Sequence, residues 1–215
     1  MPKEMEILIL VSVIILVVFS SVLIVVKSKS SQSTNYSKNP KNKYLDRKIK
    51  KFANDRDFLF LSDVFLPVKD NRAIIIDNII FGNKYIYVIS QKHWEGHLKG
   101  YEYDTKWMIN SKNQTKYVDN PLINNRFKVQ MLLSFLKEKE EDNVINIVAI
   151  NDRVKFSDFQ VQPLENVTKM NKIFKIIDDY EKNSPFNDIK EEEIERIANL
   201  INDESNRIKE SQARE

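Results

Sequence analysis

Residues 73–92, AIIIDNIIFGNKYIYVISQK, constrain the fold of this chain most strongly. Two apolar runs rich in isoleucine, valine and tyrosine flank a short Gly-Asn-Lys turn, and this residue choice favours β-strands. Glycine and asparagine tolerate the positive φ angles that tight hairpin turns need. The sequence therefore predicts a β-hairpin made of two apolar strands.

Three polar side chains interrupt this hairpin: Asp77 in the first strand, and Ser90 and Lys92 in the second. Residues two apart on a strand share a face, so Ser90 and Lys92 point the same way. A turn centred on Asn83-Lys84 places Asp77 opposite Ser90, with Lys92 as a diagonal neighbour at roughly 7–8 Å. A turn centred on Gly82-Asn83 keeps all three on one face but moves Lys92 one pair further away. The spacing predicts the shared face and leaves both registers open.

An acid and a lysine on paired strands are two parts of a metal-dependent nuclease site. Mg²⁺ prefers oxygen ligands, commonly one or two carboxylates with waters and phosphate oxygens, and it lowers the pKa of its bound water. The third part would be a carboxylate two residues before Lys92, a position that Ser90 holds. Because a neutral hydroxyl replaces a carboxylate poorly, the sequence indicates nuclease ancestry more strongly than it indicates catalysis.

The motifs around the hairpin occur in a characteristic order. They are Leu61-Ser-Asp-Val-Phe-Leu-Pro67, Lys92-His-Trp-Glu-Gly96-His-Leu-Lys-Gly100, Trp107 and Asn120-Pro-Leu122. This series, over about residues 44–155, resembles the nuclease-related domain family, NERD. The resemblance implies a restriction-endonuclease-like α/β fold, in which helices flank a small mixed sheet. It also implies a site where a helix-borne acid, an Asp, a Glu and a Lys bind Mg²⁺ and activate water.

Carried over to this chain, the resemblance implies metal binding by Asp77 and a catalytic role for Lys92, which would orient water and phosphate. Ser90 stands at the family's Glu position and Asn124 at its Gln position, while Asp46 is an imperfect match to the helix-borne acid. These departures affect the site more than the scaffold. We therefore expect a degenerate nuclease-fold module that binds nucleic acid or a protein partner and has no cofactor.

The alternative is an active Mg²⁺-dependent nuclease, which needs a substitute for the missing carboxylate. Asp63, on the preceding strand, is the preferred second metal ligand beside Asp77, ahead of Asp46 and Glu95. The backbone carbonyl of Gln91 would join them, whereas its side chain alternates to the other face of the strand. This alternative requires a second carboxylate within about 5 Å of Asp77, because shared coordination uses Mg–O bonds of about 2.0–2.1 Å.

Residues 7–26 carry no charge and only three serines. A helix that spans a bilayer needs about 20 apolar residues, and the chain has neither a basic leader nor an Ala-x-Ala-like cleavage site. The sequence therefore predicts a retained single-pass membrane anchor within residues 1–26. Basic residues follow at positions 27, 29, 38, 41, 43, 47, 48, 50 and 51. By the positive-inside rule, this predicts a cell-membrane protein with its N-terminus outside and its main domain in the cytoplasm.

Residues 27–43, KSKSSQSTNYSKNPKNK, have no apolar periodicity and are typical of a flexible linker. Its lysines, and Lys48, Lys50 and Lys51 beyond it, are candidates to contact anionic lipid or nucleic-acid phosphates, with lipid preferred. The formal net charge is only +3, so charge alone does not indicate nucleic-acid binding. The chain has no cysteine, which excludes disulfides and thiolate metal sites.

The rest of the chain is predicted to form an α/β domain at residues 44–155 and a helical extension at 156–215. The predicted elements are a helix at 44–54, strands at 58–66, 73–81, 85–92 and 144–150, a hairpin or extended loop at 96–107, and a helix from Asn120 to about Lys137. In that last helix Ile123, Phe127, Met131 and Phe135 define an apolar stripe. The C-terminal helices are expected to pack on the domain, with a protein partner as the alternative.

Residues 94–107 contain two tryptophans and two tyrosines, whose rings are suited to stacking on bases. Core and hairpin contacts are the preferred interpretation of all four. His93 and His97 are four residues apart, but the glycine between them argues against the helix that would present both to Zn²⁺.

Overall fold

The computed structural model describes residues 43–68, 72–112, 114–137, 143–161 and 167–213. The predicted membrane anchor and nearly all of the lysine-rich linker, residues 1–42, lie outside the described residues. Within the described ranges, no helix is long and apolar enough to cross a lipid bilayer. Two β-sheets with helices packed against them make up this part of the chain, which confirms the predicted α/β class.

The described part of the chain contains four α-helices, one 3₁₀ helix and nine β-strands. The helices are α1 (Lys43–Asn54), α2 (Pro121–Leu136), α3 (Ile173–Asn183) and α4 (Glu191–Ala213), with a 3₁₀ helix at Met170–Lys172. The strands are β1 (Leu59–Val68), β2 (Arg72–Phe81), β3 (Ile86–Lys92), β4 (His97–Tyr101), β5 (Lys106–Asn110), β6 (Thr115–Asp119), β7 (Val144–Ile150), β8 (Lys155–Gln160) and β9 (Val167–Lys169).

The first sheet is mixed and has the order β1-β2-β3-β7-β9. Strands β1, β2 and β3 form an antiparallel meander, and β7 and β9 run parallel to β3. The predicted hairpin is β2–β3. Helices cover both faces, with Ile49 of α1 and Ile177 of α3 on one side and Leu132 of α2 and Ile201 of α4 on the other. Each buried side chain of this kind contributes roughly 1.5–3 kcal/mol, so the hairpin is held firmly from both faces.

The second sheet has the order β6-β5-β4-β8 and packs one face against the first. Leu98, Trp107 and Ile109 point inward to meet Val148 and Ile150 of β7. The segment predicted as a hairpin or loop at 96–107 forms the β4–β5 hairpin. Strands β8 and β9 extend into the segment at 156–215 that was expected to be helical, so this segment supplies one strand to each sheet as well as α3 and α4.

Helix α4 also covers the exposed edge of the first sheet. Ser205 accepts a hydrogen bond from the backbone N–H of Phe65 on the edge strand β1, at 3.0 Å. Edge strands carry unpaired backbone groups that invite pairing with other chains. The C-terminal helix therefore completes the domain by protecting this edge.

The buried face of α2 is not the predicted apolar stripe. Ile123 and Phe127 are exposed, at 37% and 51%, and the buried face is formed by Leu122, Asn125, Val129, Leu132 and Leu133. The helix carries apolar residues on two sides, so periodicity alone cannot tell which side meets the sheet. Its start is as predicted, because the Asn120 side chain accepts a hydrogen bond from the Leu122 N–H and Pro121 occupies the first position.

Candidate functional site

The β2–β3 hairpin adopts the register that brings Asp77 and Ser90 opposite each other. Phe81 pairs with Ile86 and Asn78 pairs with Ile89, which centres the turn on residues 83–84. Backbone pairing between β2 and β3 ends at Asn78 and Ile89. At the next position, the Asp77 side chain takes the place of a backbone hydrogen-bond partner. Its Oδ2 accepts a hydrogen bond from the Gln91 N–H at 2.8 Å.

Lys128 enters this position from α2, and sequence reasoning missed it. Its Nζ lies 3.7 Å from Asp77 Oδ1 and donates to Ser90 Oγ at 3.2 Å. The Asp77 and Lys128 side chains are 27% and 16% exposed, and Ser90 is buried. An ammonium group therefore stands between Asp77 and Ser90 on this face of the hairpin. The available signal was spacing, since Lys128 follows Asn124 by one helical turn.

Asn125 fixes the rotation of α2 that directs Lys128 into the site. Its buried Nδ2 donates to the carbonyl oxygens of Val88 at 2.9 Å and Ile147 at 3.2 Å, so it ties the helix to β3 and β7. Residues three apart lie on one side of a helix, and Lys128 therefore faces the same strands. The Lys128 contact is thus a consequence of how the helix is docked.

Asp46 lies on the opposite face of β3 from Ser90. The Gln91 side chain points to that face, as its alternation predicts, and its Nε2 donates to Asp46 Oδ1 at 2.6 Å. His93 follows on the same side; burial lowers the pKa of its imidazole, and the Asp46 carboxylate opposes this effect. Asp46 and Asp77, two acids of the predicted site, therefore accept hydrogen bonds from Gln91 on opposite faces of β3.

The regular alternation of side chains between the two faces of the sheet breaks where Asp63 lies across from Asp77. Pairing of β1 with β2 skips these two residues, and Asp63 has a φ of 54°. Ile76 and Ile79 pack in the same core although they are three apart on a strand, which shows the break in alternation. Asp63 is half-buried at this break. Within the described ranges, no group of three or more His, Asp or Glu side chains is suited to hold a metal ion.

The remaining predicted residues are spread around the domain. Lys92 lies at the end of β3, and its ammonium has no hydrogen-bond or ion-pair partner among the described residues, although its carbonyl accepts from Asn151 N–H. Glu95 pairs with Arg153 on the surface at 3.3 Å. Lys48, Lys50 and Lys51 are exposed on α1, and Lys51 pairs with Asp55 at 2.5 Å.

The aromatic residues of 94–107 divide into two groups. Trp107 is fully buried beneath the second sheet, as predicted. Trp94 is partly buried against the same core. Tyr101 and Tyr103 belong to the β4–β5 hairpin but are 51% and 79% exposed, so neither tyrosine is a core residue. His97 lies on β4, which agrees with the expectation that it shares no helix with His93.

Comparison with known proteins agrees with this architecture. Residues 38–151 match the profile of the nuclease-related domain, NERD. The match spans more than half of the chain, and the chain belongs to the NERD family. Among curated proteins, none matches the chain.

Proposed function

We propose that this chain is a degenerate NERD protein, which binds nucleic acid beside Lys128, where α2 meets the β2–β3 hairpin, without cutting it. The observation that carries the proposal is Lys128, whose ammonium lies 3.2 Å from Ser90 Oγ and 3.7 Å from Asp77 Oδ1. Nuclease ancestry follows from family membership. The loss of cutting is inferred from the chemistry of these side chains.

The residues around Asp77 do not fit Mg²⁺. The metal needs carboxylate oxygens, but Asp77 already accepts the Gln91 N–H and faces an ammonium, and Ser90 is neutral. A dication beside Lys128 would experience a repulsion on the order of several kcal/mol at an effective dielectric constant of about 20. The lysine therefore neutralises Asp77 in the way that a metal ion does in an active site.

The same cations suit a phosphate group. Lys128 is 16% exposed, and Lys92 has no ion-pair partner among the described residues. Lysine binds phosphate as a point charge, and each neutralised phosphate adds affinity that salt weakens. A protein partner in place of nucleic acid is the other outcome that the binding experiment below distinguishes.

We also propose that residues 7–26 anchor the chain in the cell membrane, with the N-terminus outside and the domain in the cytoplasm. The support is the uncharged apolar run and the lysines that follow it. The linker lysines and Lys48, Lys50 and Lys51 would then face anionic lipid. The domain would bind nucleic acid close to the membrane surface.

The test uses the full-length chain in mild detergent with labelled single-stranded and double-stranded oligonucleotides, in Mg²⁺ and in Mn²⁺. We expect binding without cleavage, and we expect Lys128→Met to weaken binding. Leu200→Ala, on the exposed surface of α4, serves as a control and should bind like the wild type.

Two results would contradict the proposal. Metal-dependent cleavage that Asp77→Ala abolishes would establish the alternative, an active nuclease in which Asp77 and Lys92 act with Asp63 or Asp46. Absence of binding to every oligonucleotide would remove nucleic acid as the ligand and favour a protein partner.

A further inference from the structure

The second sheet has one buried face and one open face. Alternation sends Leu98 and Trp107 into the core, and it sends Lys99, Tyr101 and Lys106 outward. Tyr101 and Tyr117, on β4 and β6, are 51% and 66% exposed. Large aromatic side chains dominate interface energetics when they become buried, so two exposed rings on one sheet face can supply much of the contact with a ligand.

The strand register places the two rings on the same face at a defined separation. Lys99 pairs with Met108, and Met108 pairs with Tyr117, so this row crosses three strands. Tyr101 lies two residues further along β4 than Lys99. With strands about 4.8 Å apart and a rise of about 3.4 Å per residue, the two tyrosine Cα atoms are roughly 12 Å apart. The rings are far enough apart to contact different units of an extended chain.

The charge of this sheet complements an anion. By strand register, Lys106 and Lys155 lie on the open face, and Lys112 lies in the β5–β6 turn. None of these three lysines has an ion-pair partner among the described residues. Among the acids of this sheet, Asp158 pairs with Lys99 at 2.7 Å and Glu102 pairs with Arg126. Asp104 accepts the Tyr101 N–H at 2.9 Å, and Asp119 lies opposite Lys106. Lysines without an ion pair therefore flank the two rings, where they can contact the phosphates of a bound strand.

Tyr101 is held in place by its backbone. Its carbonyl accepts a hydrogen bond from Trp107 Nε1 at 2.9 Å, and its N–H donates to Asp104. Gly100 allows this arrangement, because a Cβ there would lie 2.4 Å from the Trp107 ring. The ring therefore projects from a rigid support, which lowers the entropic cost of binding.

We propose that this open face, formed around Tyr101 and Tyr117, binds single-stranded nucleic acid, with bases stacked on the tyrosines and phosphates held by the unpaired lysines. The inference rests on the proposed function and identifies the form of nucleic acid that the protein takes. Stacking needs base faces that a duplex keeps covered, whereas a single strand offers them to any exposed ring. The face is separate from the Lys128 position, so the two can be tested independently.

The experiment measures fluorescence anisotropy of labelled oligothymidylate and oligouridylate with the full-length chain in mild detergent. Tyr101→Ala and Tyr117→Ala are each expected to weaken binding about 5- to 100-fold, the effect of losing one base–aromatic stack. Tyr101→Phe and Tyr117→Phe keep the ring and should bind within about 2-fold of the wild type. Lys106→Gln should lower the slope of log affinity against log salt by about 0.7, the value for one phosphate contact of a single strand.

The outcomes separate this inference from the proposed function. If Lys128→Met weakens binding while both tyrosine-to-alanine variants bind like the wild type, the sheet is not the binding face and the proposed binding beside Lys128 stands. If duplex binds more tightly than single strands of equal length, the sheet proposal is likewise overturned. If the wild-type chain binds no oligonucleotide, both proposals fail. Because both tyrosines are exposed, unchanged thermal unfolding should accompany the alanine variants.

Discussion

Ser90 and Lys128 act as a pair at the scale of single residues. The Lys128 ammonium donates a hydrogen bond to the buried Ser90 Oγ and supplies the positive charge that offsets Asp77. An unpaired half-buried charge is costly, so either member of the pair constrains the other. Ser90 and Lys128 are therefore best changed together.

The Tyr87–Glu181 contact links β3 to α3, and it gives a prediction that depends on pH. Tyr87 donates to Glu181 Oε1 at 2.7 Å, and burial, with the adjacent carboxylate, raises the Tyr87 pKa above its usual value of 10.0. The folded chain then holds the phenol proton more tightly than the unfolded chain does. This contribution to stability is complete below pH 10 and is lost as the pH rises above it.

Tyr87→Phe is accordingly expected to lower the free energy of unfolding by about 1.5–3 kcal/mol at pH 8, because it removes a hydrogen bond to a charged group. It should also reduce the loss of stability between about pH 9.5 and 11. Urea denaturation at several pH values measures both effects. Tyr85→Phe, at a neighbouring buried ring, is the control. An alkaline decline that is the same in Tyr87→Phe and wild type would contradict the prediction.

Residue positions on the hairpin were predictable from the sequence, whereas Lys128 was not. Alternation and turn chemistry place Asp77, Ser90 and Gln91 on their correct faces, because these depend on neighbouring residues only. The position of Lys128 depends on how α2 docks, which Asn125 sets through contacts to β3 and β7. The spacing of Lys128 from Asn124 places the two on one side of α2 but does not show which side of the helix meets the sheet.

The β2–β3 turn is an element whose shape depends on Glu181. A Cβ at Gly82 would lie 2.3 Å from Glu181 Oε1, and Glu181 Oε2 accepts the Lys84 N–H at 3.1 Å. Gly82→Ala should displace this carboxylate and lower the free energy of unfolding by about 1–2 kcal/mol. In a Glu181→Ala background the same change should cost little, since the obstructing group is gone. Asn83→Ala, exposed in the same turn, is the control.

Thermal or urea unfolding of the wild type, the two single variants and the double variant tests the coupling between the turn and α3. Equal costs of Gly82→Ala in the two backgrounds would contradict a specific Gly82–Glu181 contact.

Helix α2 provides a second prediction at the scale of elements. Leu132→Ala should lower the free energy of unfolding by about 2–5 kcal/mol, because it leaves a cavity beneath a fully buried position. Phe127→Ala should cost less than about 1 kcal/mol, because Phe127 is 51% exposed. Urea denaturation compares them. The reverse order would show that the predicted stripe, and not the observed face, meets the sheet.

At the scale of the whole molecule, local sequence patterns could not predict the pairings that add the last strand, β8 or β9, to each sheet. Strand β8 pairs in parallel with β4, and β9 pairs in parallel with β7, across long separations in the chain. Parallel pairing leaves no turn signal comparable to that of a hairpin. The helix–strand order of the family fold was predictable, but the C-terminal segment's contribution to both sheets was not.

The membrane arrangement of the whole chain can be tested through its lack of cysteine. We expect Lys3→Cys to react with a membrane-impermeant maleimide in intact cells, and Asn35→Cys to react only after permeabilisation. The reason is the excess of lysine after residue 26, which is retained on the cytoplasmic side. The opposite labelling pattern would contradict the proposed orientation.

The central claim is that an ammonium has replaced the metal at Asp77, and Mn²⁺ binding followed by isothermal titration calorimetry tests it most directly. We predict that the wild-type chain shows no saturable binding at this site. Ser90→Glu combined with Lys128→Ala should create Mn²⁺ binding that a further Asp77→Ala removes, because two carboxylates then face each other without a competing cation. Circular dichroism confirms that each variant is folded. Saturable Mn²⁺ binding by the wild-type chain that Asp77→Ala abolishes would contradict the claim.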